Sequence, residues 1–399
     1  MGWNKKHDGY KAYQYLDESD YRMFELTSEE DSQSYLVPLS EEQEKRALKL
    51  MEESIIISLH EHPCLYPKDI TIVMEYKHEG RQPAAYEWLS KSCLDAVFDN
   101  LMDGTCIITS KHGWKWEDII FDLGMRLCDL AHQSFVIRCE KVDDIIKAHN
   151  EGKLALVPTL EGAAMIENEV DRLDILYGLG IRSMGVVYSE SNALGSGIKE
   201  KNDGGLTTLG REAVERMNKL GIAIDCSHVG DQTTIDIIRE SKQPVLISHT
   251  GARELWNSKR LKPDYALKAC ADKGGLIGIE AAPHTTITVN NTKHSIESFM
   301  EHFEYIKDLV GIDYVSFGPD TIFGDHVGLH HAFRQHLSIK STQQTEVDFE
   351  KVEYVKGLEN PTEASINIVR WLVKHNYSDD DIKKVIGGNS IRVLKEIWY

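Results

Sequence analysis

The sequence predicts an α/β fold of the (β/α)8 barrel type, with an N-terminal helical extension and enlarged loops at the C-terminal face of the strands. Three observations lead there. Eight apolar runs of strand length recur between residues 54 and 320, amphipathic stretches of helical period lie between them, and several runs end in a histidine or a carboxylate. A doubly wound open sheet is the alternative, and the absence of a GxGxxG after an early strand speaks against it.

Residues 1–53 are polar and read as the helical extension, leaving 54–399 for the barrel. Ser40-Glu41-Glu42-Gln43 is a capping-box pattern that opens a helix through Met51. The first strand, 54–60, carries Ile55, Ile56 and Ile57 in succession, as strands buried on both faces do. A strand repeats every two residues, so His60 and His62 leave its end on the same side. Further strands are expected at 106–110, 155–161, 182–188, 222–228, 245–249, 276–281 and 314–320, with a minor ninth at 135–139. Helices are expected at 142–150, 211–220 (closed by Gly221), 264–272 and 296–309.

Composition excludes several classes. A net charge of −19 without a basic stripe argues against a nucleic acid or an anionic membrane surface as partner. The N-terminus lacks the apolar core of a secretory signal, and no run approaches the roughly 20 apolar residues that cross a bilayer. Seven scattered cysteines, with no CxxC pair, fit reduced thiols in a cytoplasmic protein better than a disulfide framework. They give a cysteine-zinc site no support.

The strand ends carry the chemistry. His60 and His62 end the first strand, Glu161 the third, His228 the fifth, His249 the sixth and Asp320 the eighth. In a barrel these ends converge on one face. A lone histidine there is usually structural, Glu161 could cap a helix and Asp320 could form a turn, but six such accidents at equivalent positions are hard to sustain. Imidazole and carboxylate without thiolate suit zinc, with manganese, iron or cobalt as alternatives. The set exceeds the needs of one catalytic ion. Two divalent ions bridged by Glu161 divide it sensibly, His60 and His62 on one, His228 and His249 on the other. Asp320 would then take a proton from the activated water and pass it to a leaving group.

Five stretches also resemble a known family: ISLHEHP, TLEGAAMI, the run GGLTTLGREAVERMNKLGIAIDCSHVGDQT, VLISHTGARELWNSKRLKPD and GGNSIRVL. They are similar to the membrane (renal-type) dipeptidases, peptidase family M19 of the amidohydrolase superfamily. The likeness covers roughly residues 54–399 and is strongest from 155 to 282. It implies a barrel whose binuclear zinc centre hydrolyses dipeptides, with His60, His62, Glu161, His228 and His249 as ligands. It further implies that Arg260 grips the substrate carboxylate, a role for which guanidinium geometry is suited. Asp320 matches the aspartate near the scissile bond and the substrate amine. Family members are commonly dimers, so a homodimer is implied too.

Three departures stand out. The family's usual first motif is His-x-Asp, whereas this chain has His60-Glu61-His62, which removes one negative charge. A family histidine that contacts the scissile carbonyl falls on Tyr188, a phenol that can donate a hydrogen bond but carry no positive charge. After the eighth strand, a histidine-rich loop (321–340, with His326, His330, His331 and His336) replaces a short segment, and one of its imidazoles, or His112, could line the pocket. The segment between Pro63 and Gly104 is also long and is expected at the rim. The leading expectation is a metallo-dipeptidase. The alternatives are hydrolysis or decarboxylation of another small carboxylate-bearing amide, ester or lactone, and a metal-bearing scaffold without activity.

Overall fold

In the computed structural model, which describes residues 5–101, 114–283, 285–336 and 350–398, ten strands form one parallel sheet. They are β1 Ile57–Leu65, β2 Ala96–Asn100, β3 Val136–Arg138, β4 Leu154–Leu160, β5 Ser183–Gly185, β6 Ala223–Asp225, β7 Leu246–Thr250, β8 Leu276–Ile279, β9 Val315–Phe317 and β10 Ile322–Phe323. The pairing runs β10-β1-β2-β4-β5-β6-β7-β8-β9, with β3 set aside against β4. The sheet curls until β9 comes back beside β1, where the Asp320 N–H donates to the His60 carbonyl at 3.1 Å. Gly318 permits that approach: a Cβ there would lie 2.2 Å from the Ser248 carbonyl oxygen and 3.2 Å from the His60 amide nitrogen. The eight strands β1, β2, β4, β5, β6, β7, β8 and β9 form the barrel, and β3 is the minor extra strand expected at 135–139.

The amphipathic helices fall where the periodicity placed them, but the N-terminal extension is α-helical only over Glu41–Glu53; residues 5–40 are irregular apart from one 3-10 turn, Glu29–Asp31. The capping box is made: Ser40 Oγ accepts from the Gln43 N–H and Gln43 Oε1 accepts from the Ser40 N–H, opening Glu41–Glu53. Thr208–Leu220 starts on the Thr207 hydroxyl and stops at Gly221, whose φ of 80° suits a residue without a Cβ. Val142–Glu151, Asp264–Asp272 and Ile296–Val310 flank the sheet in the same manner. With helices over its outer face and the side chains of the other strands filling the barrel inside it, β4 is buried at every position.

Four strand expectations were too long. The stretches at 182–188, 222–228, 276–281 and 314–320 pair over only three or four residues each, and their polar ends turn out of the ladder. The strand expected at 106–110 lies outside the described residues, and the second barrel strand is β2. Its sequence, AVFDN, escaped notice because one buried acid precedes the apolar run and another interrupts it. Asp95 accepts from the Ile56 N–H at 2.9 Å, and Asp99 lies 3.1 Å from Arg126. The stretch from Pro63 to β2 holds the helices Val73–Glu79 and Tyr86–Lys91. The segment read as a histidine-rich loop carries β10, paired with β1, and the helix His326–His336.

Candidate metal centre

The short strands put polar side chains at one end of the barrel. His60 and His62 belong to β1 and His249 to β7, while Glu161, Tyr188, His228 and Asp320 stand on the turns just past β4, β5, β6 and β9. The strand period holds: His60 Nε2 and His62 Nε2 both face Asp320 Oδ1, at 3.3 and 3.2 Å. They also share one oxygen of Glu161, Oε1, at 3.5 and 3.7 Å. The other oxygen, Oε2, lies 2.9 Å from His228 Nε2, which in turn lies 3.1 Å from His249 Nε2. Across the gap the His60 and His249 rings stack at 3.6 Å.

Three overlapping triads result: His60, His62 and Glu161; His60, His249 and Asp320; Glu161, His228 and His249. Within each triad, one potential ligand atom per residue lies within 4.8 Å of the others. The ionisation states favour a cation at Glu161, Asp320, His228 and His249. Burial opposes charge on Glu161 and Asp320, but the facing imidazoles outweigh it and hold both carboxyls well below the usual range. Burial depresses His228 and His249, helped at His228 by the Arg260 charge and at His249 by the charges of His60 and then Arg260, and leaves both rings neutral. Neutral imidazoles and ionised carboxylates are the protonation states in which these groups ligate metals. Burial opposes a charge on His60, but the facing Asp320 and Glu161 carboxylates outweigh it and raise the imidazole to about 10, so its ring carries a proton that ligation would displace.

Outer contacts orient the rings. His249 Nδ1 lies 2.7 Å from Ser248 Oγ, which hydrogen-bonds Asp225, and His228 Nδ1 lies 3.4 Å from Ser189 Oγ. Tyr188 places its ring 4.2 Å from the His228 ring and 4.8 Å from that of Trp114. Burial, with Glu161 and Asp320 nearby, pushes its phenol well above the usual value and keeps it protonated.

Arg260, which sequence reasoning without the resemblance would treat as a surface residue, is buried. Its Nη1 donates to the His249 carbonyl at 3.1 Å and its Nη2 pairs with Glu280. Glu280 was missed, although it stands at the end of an expected strand; its Oε1 accepts from Thr285 Oγ1 at 2.7 Å. Asn100, at the end of the unseen β2, was missed with it and donates to Glu161 Oε1. Of the loop histidines, His326 is buried within electrostatic reach of Asp320 and His62, and burial brings its imidazole down to about 4. His112 lies outside the described residues.

Residues 44–337 match the family model for membrane dipeptidase, peptidase family M19. The chain belongs to this family. Within M19 and its neighbours, it is 27% identical over 278 residues to dipeptidase tcpJ of Claviceps purpurea. That match covers 69% of this chain and 58% of the relative's length. An amidohydrolase structure from Pseudomonas aeruginosa superposes with a TM-score of 0.71 at 25% identity, covering 88% of this chain and 99% of the other. A Rhodobacter sphaeroides metallopeptidase, solved with a phosphinate mimic of the dipeptide L-Ala-D-Ala, shares the fold. Its TM-score is 0.65 at 18% identity, over 87% of this chain and all of that one. Among the described residues, no helix of this M19 protein is long and apolar enough to cross a membrane.

Proposed function

We propose that this chain is a metal-dependent dipeptidase using two divalent ions, held by His60, His62, Glu161, His228 and His249. Zinc suits that donor set best, with manganese, iron or cobalt as alternatives. The observation that carries the reading is the division of Glu161, with Oε1 toward His60 and His62 and Oε2 toward His228. Family membership, a relative described as a dipeptidase and a fold relative bound to a dipeptide mimic support it further.

These residues would hold ions able to acidify a water and polarise a carbonyl oxygen. The chain's own groups supply the rest. Asp320, kept ionised, takes a proton from the attacking water and returns it to the leaving amine, and its charge attracts the substrate's α-ammonium. Tyr188, kept protonated, donates to the carbonyl oxygen as negative charge builds there. Arg260 offers its remaining N–H groups to the substrate carboxylate, while Glu280 and the His249 carbonyl hold the guanidinium in place. The six described cysteines, all free thiols, fit the cytoplasmic setting that belongs to the same reading.

The test is to load the purified chain with zinc, and separately with manganese, and assay L,L and L,D dipeptides beside their N-acetylated forms. Turnover of free dipeptides alone is expected. Bound metal with no turnover across the panel overturns the dipeptidase reading and moves the search to other small carboxylates.

A further inference from the structure

Beside His62, on the part of the mouth built by β1 and β2, a small pocket of about 40 Å³ opens toward solvent. Asn100, which donates to Glu161, lies on its wall, so the pocket borders the ligand cluster directly. Two arginines line it. Arg126, from the helix Trp116–Ala131, is buried; its Nε lies 3.1 Å from Asp99 Oδ2 and its Nη2 reaches Cys64 Sγ, while Nη1 has no hydrogen-bond partner. Arg81 lays its guanidinium over the rings of Tyr21 and Phe121, at 5.6 and 6.0 Å, and makes no ion pair among the described residues. Its Nε is also buried without a partner. The one carboxylate on the wall, Asp122, has a partner of its own, although its buried Oδ2 accepts no hydrogen bond.

Buried guanidinium N–H groups are costly to leave unpaired, and native sites rarely carry them without a use. Guanidinium forks match carboxylate oxygens in geometry as well as charge. Resting on the dipeptidase reading, we infer that this pocket receives an acidic side chain of the substrate, and that the residue bearing it is the N-terminal one. The orientation follows from the barrel. Arg260 follows β7 and pairs with Glu280 beyond β8, whereas the pocket lies at β1 and β2, across the strand order. A dipeptide with its carboxylate on Arg260 and its scissile bond at Glu161 turns its N-terminal residue toward Arg81 and Arg126. The favoured substrates are therefore dipeptides that begin with glutamate or aspartate.

The test uses the full metal-loaded chain and separates binding from turnover. Non-hydrolysable methyleneamino analogues of Glu-Ala and Gln-Ala are titrated calorimetrically, and the parent dipeptides are assayed alongside Ala-Glu and Ala-Gln. The Glu-Ala analogue is expected to bind about tenfold or more tightly than its neutral isostere. Arg81→Gln should bring that ratio close to one, and Ala-Glu should show no comparable advantage over Ala-Gln. Arg126→Lys is the second variant; because Arg126 is buried, Arg81→Gln decides the matter if Arg126→Lys does not fold. Equal binding of the two analogues, a preference that survives Arg81→Gln, or no binding of either overturns the assignment. Turnover without acidic preference removes the subsite and leaves the dipeptidase standing. Selective binding without hydrolysis of any dipeptide does the reverse.

Discussion

The carboxylate of Glu61 accepts two hydrogen bonds from Thr321, from its backbone N–H at 2.8 Å and its hydroxyl at 2.7 Å. Glu61 stands between His60 and His62, and Thr321 directly follows Asp320. The pair therefore ties the first histidines to the aspartate that faces them. Asp320 has a φ of 61°, a left-handed conformation that a residue with a Cβ adopts only when its surroundings impose it. Glu61→Ala leaves the Thr321 donors and the Ser58 hydroxyl without this buried partner, and should cost about 1–3 kcal/mol in urea unfolding. It should also lower kcat at least tenfold, about the scale of misplacing one proton-transfer group. Thr321→Val keeps the backbone bond and should do much less. Wild-type stability in Glu61→Ala would leave the pair without this role.

Removing the carboxylate shared by both histidine pairs should empty the centre. Glu161→Ala is expected to reduce bound zinc from about two ions per chain to one or fewer, and to abolish turnover. Elemental analysis of the dialysed protein reads this directly. Full retention of two ions would mean that Glu161 does not bridge.

Arg260 and Glu280 are a buried ion pair, so deleting one partner strands the other. Arg260→Ala should raise KM for dipeptides with a free carboxylate and also destabilise the fold by about 3–5 kcal/mol. In the double variant Arg260→Met/Glu280→Met no charge is stranded, and most of the stability should return while the high KM persists. A double variant with wild-type KM would place substrate recognition elsewhere.

Much of this arrangement is legible in the chain because strand ends announce themselves. An apolar run closing on HEH, LEG, CSH or ISH needs only the two-residue period and barrel geometry to bring its polar end to the mouth. What stayed hidden depends on partners distant in sequence. β2 reads poorly because Asp95 precedes it and Asp99 interrupts it, and their charges are met by partners distant in sequence: Lys5, His149 and the Ile56 N–H at Asp95, and Arg126 at Asp99. Asn100 was lost with that strand. Arg260 lies in an irregular segment with no periodicity, so its burial against Glu280 leaves no trace in the local pattern. Resemblance identified Arg260; nothing pointed to its carboxylate partner.

Tyr188 occupies the position where the resemblance expects an imidazole, and its protonated phenol sits against His228. Tyr188→Phe preserves the packing and removes only the donor. A fall in kcat of roughly a hundredfold, with KM little changed, is the expected result in steady-state kinetics. An unaffected rate would assign Tyr188 to packing alone.

His302 sets an acid limit on the segment that carries Arg260. Its Nδ1 accepts from the Ala252 N–H at 3.0 Å, so the proton resides on Nε2, which lies 3.1 Å from the Ile287 carbonyl. Burial lowers its pKa from 6.5 to about 4. Between those values the unfolded chain takes up a proton that the folded chain refuses, so folding stability must fall as the pH drops through this window. The full loss attributable to this residue is about 3 kcal/mol. His302→Gln cannot titrate there. It should be less stable than wild type at pH about 7.5, through imperfect replacement of two hydrogen bonds, yet lose less on acidification. Urea unfolding at several pH values checks this: the two stability curves should converge toward pH about 4.5, and curves that stay parallel would show that His302 does not govern the acid limit.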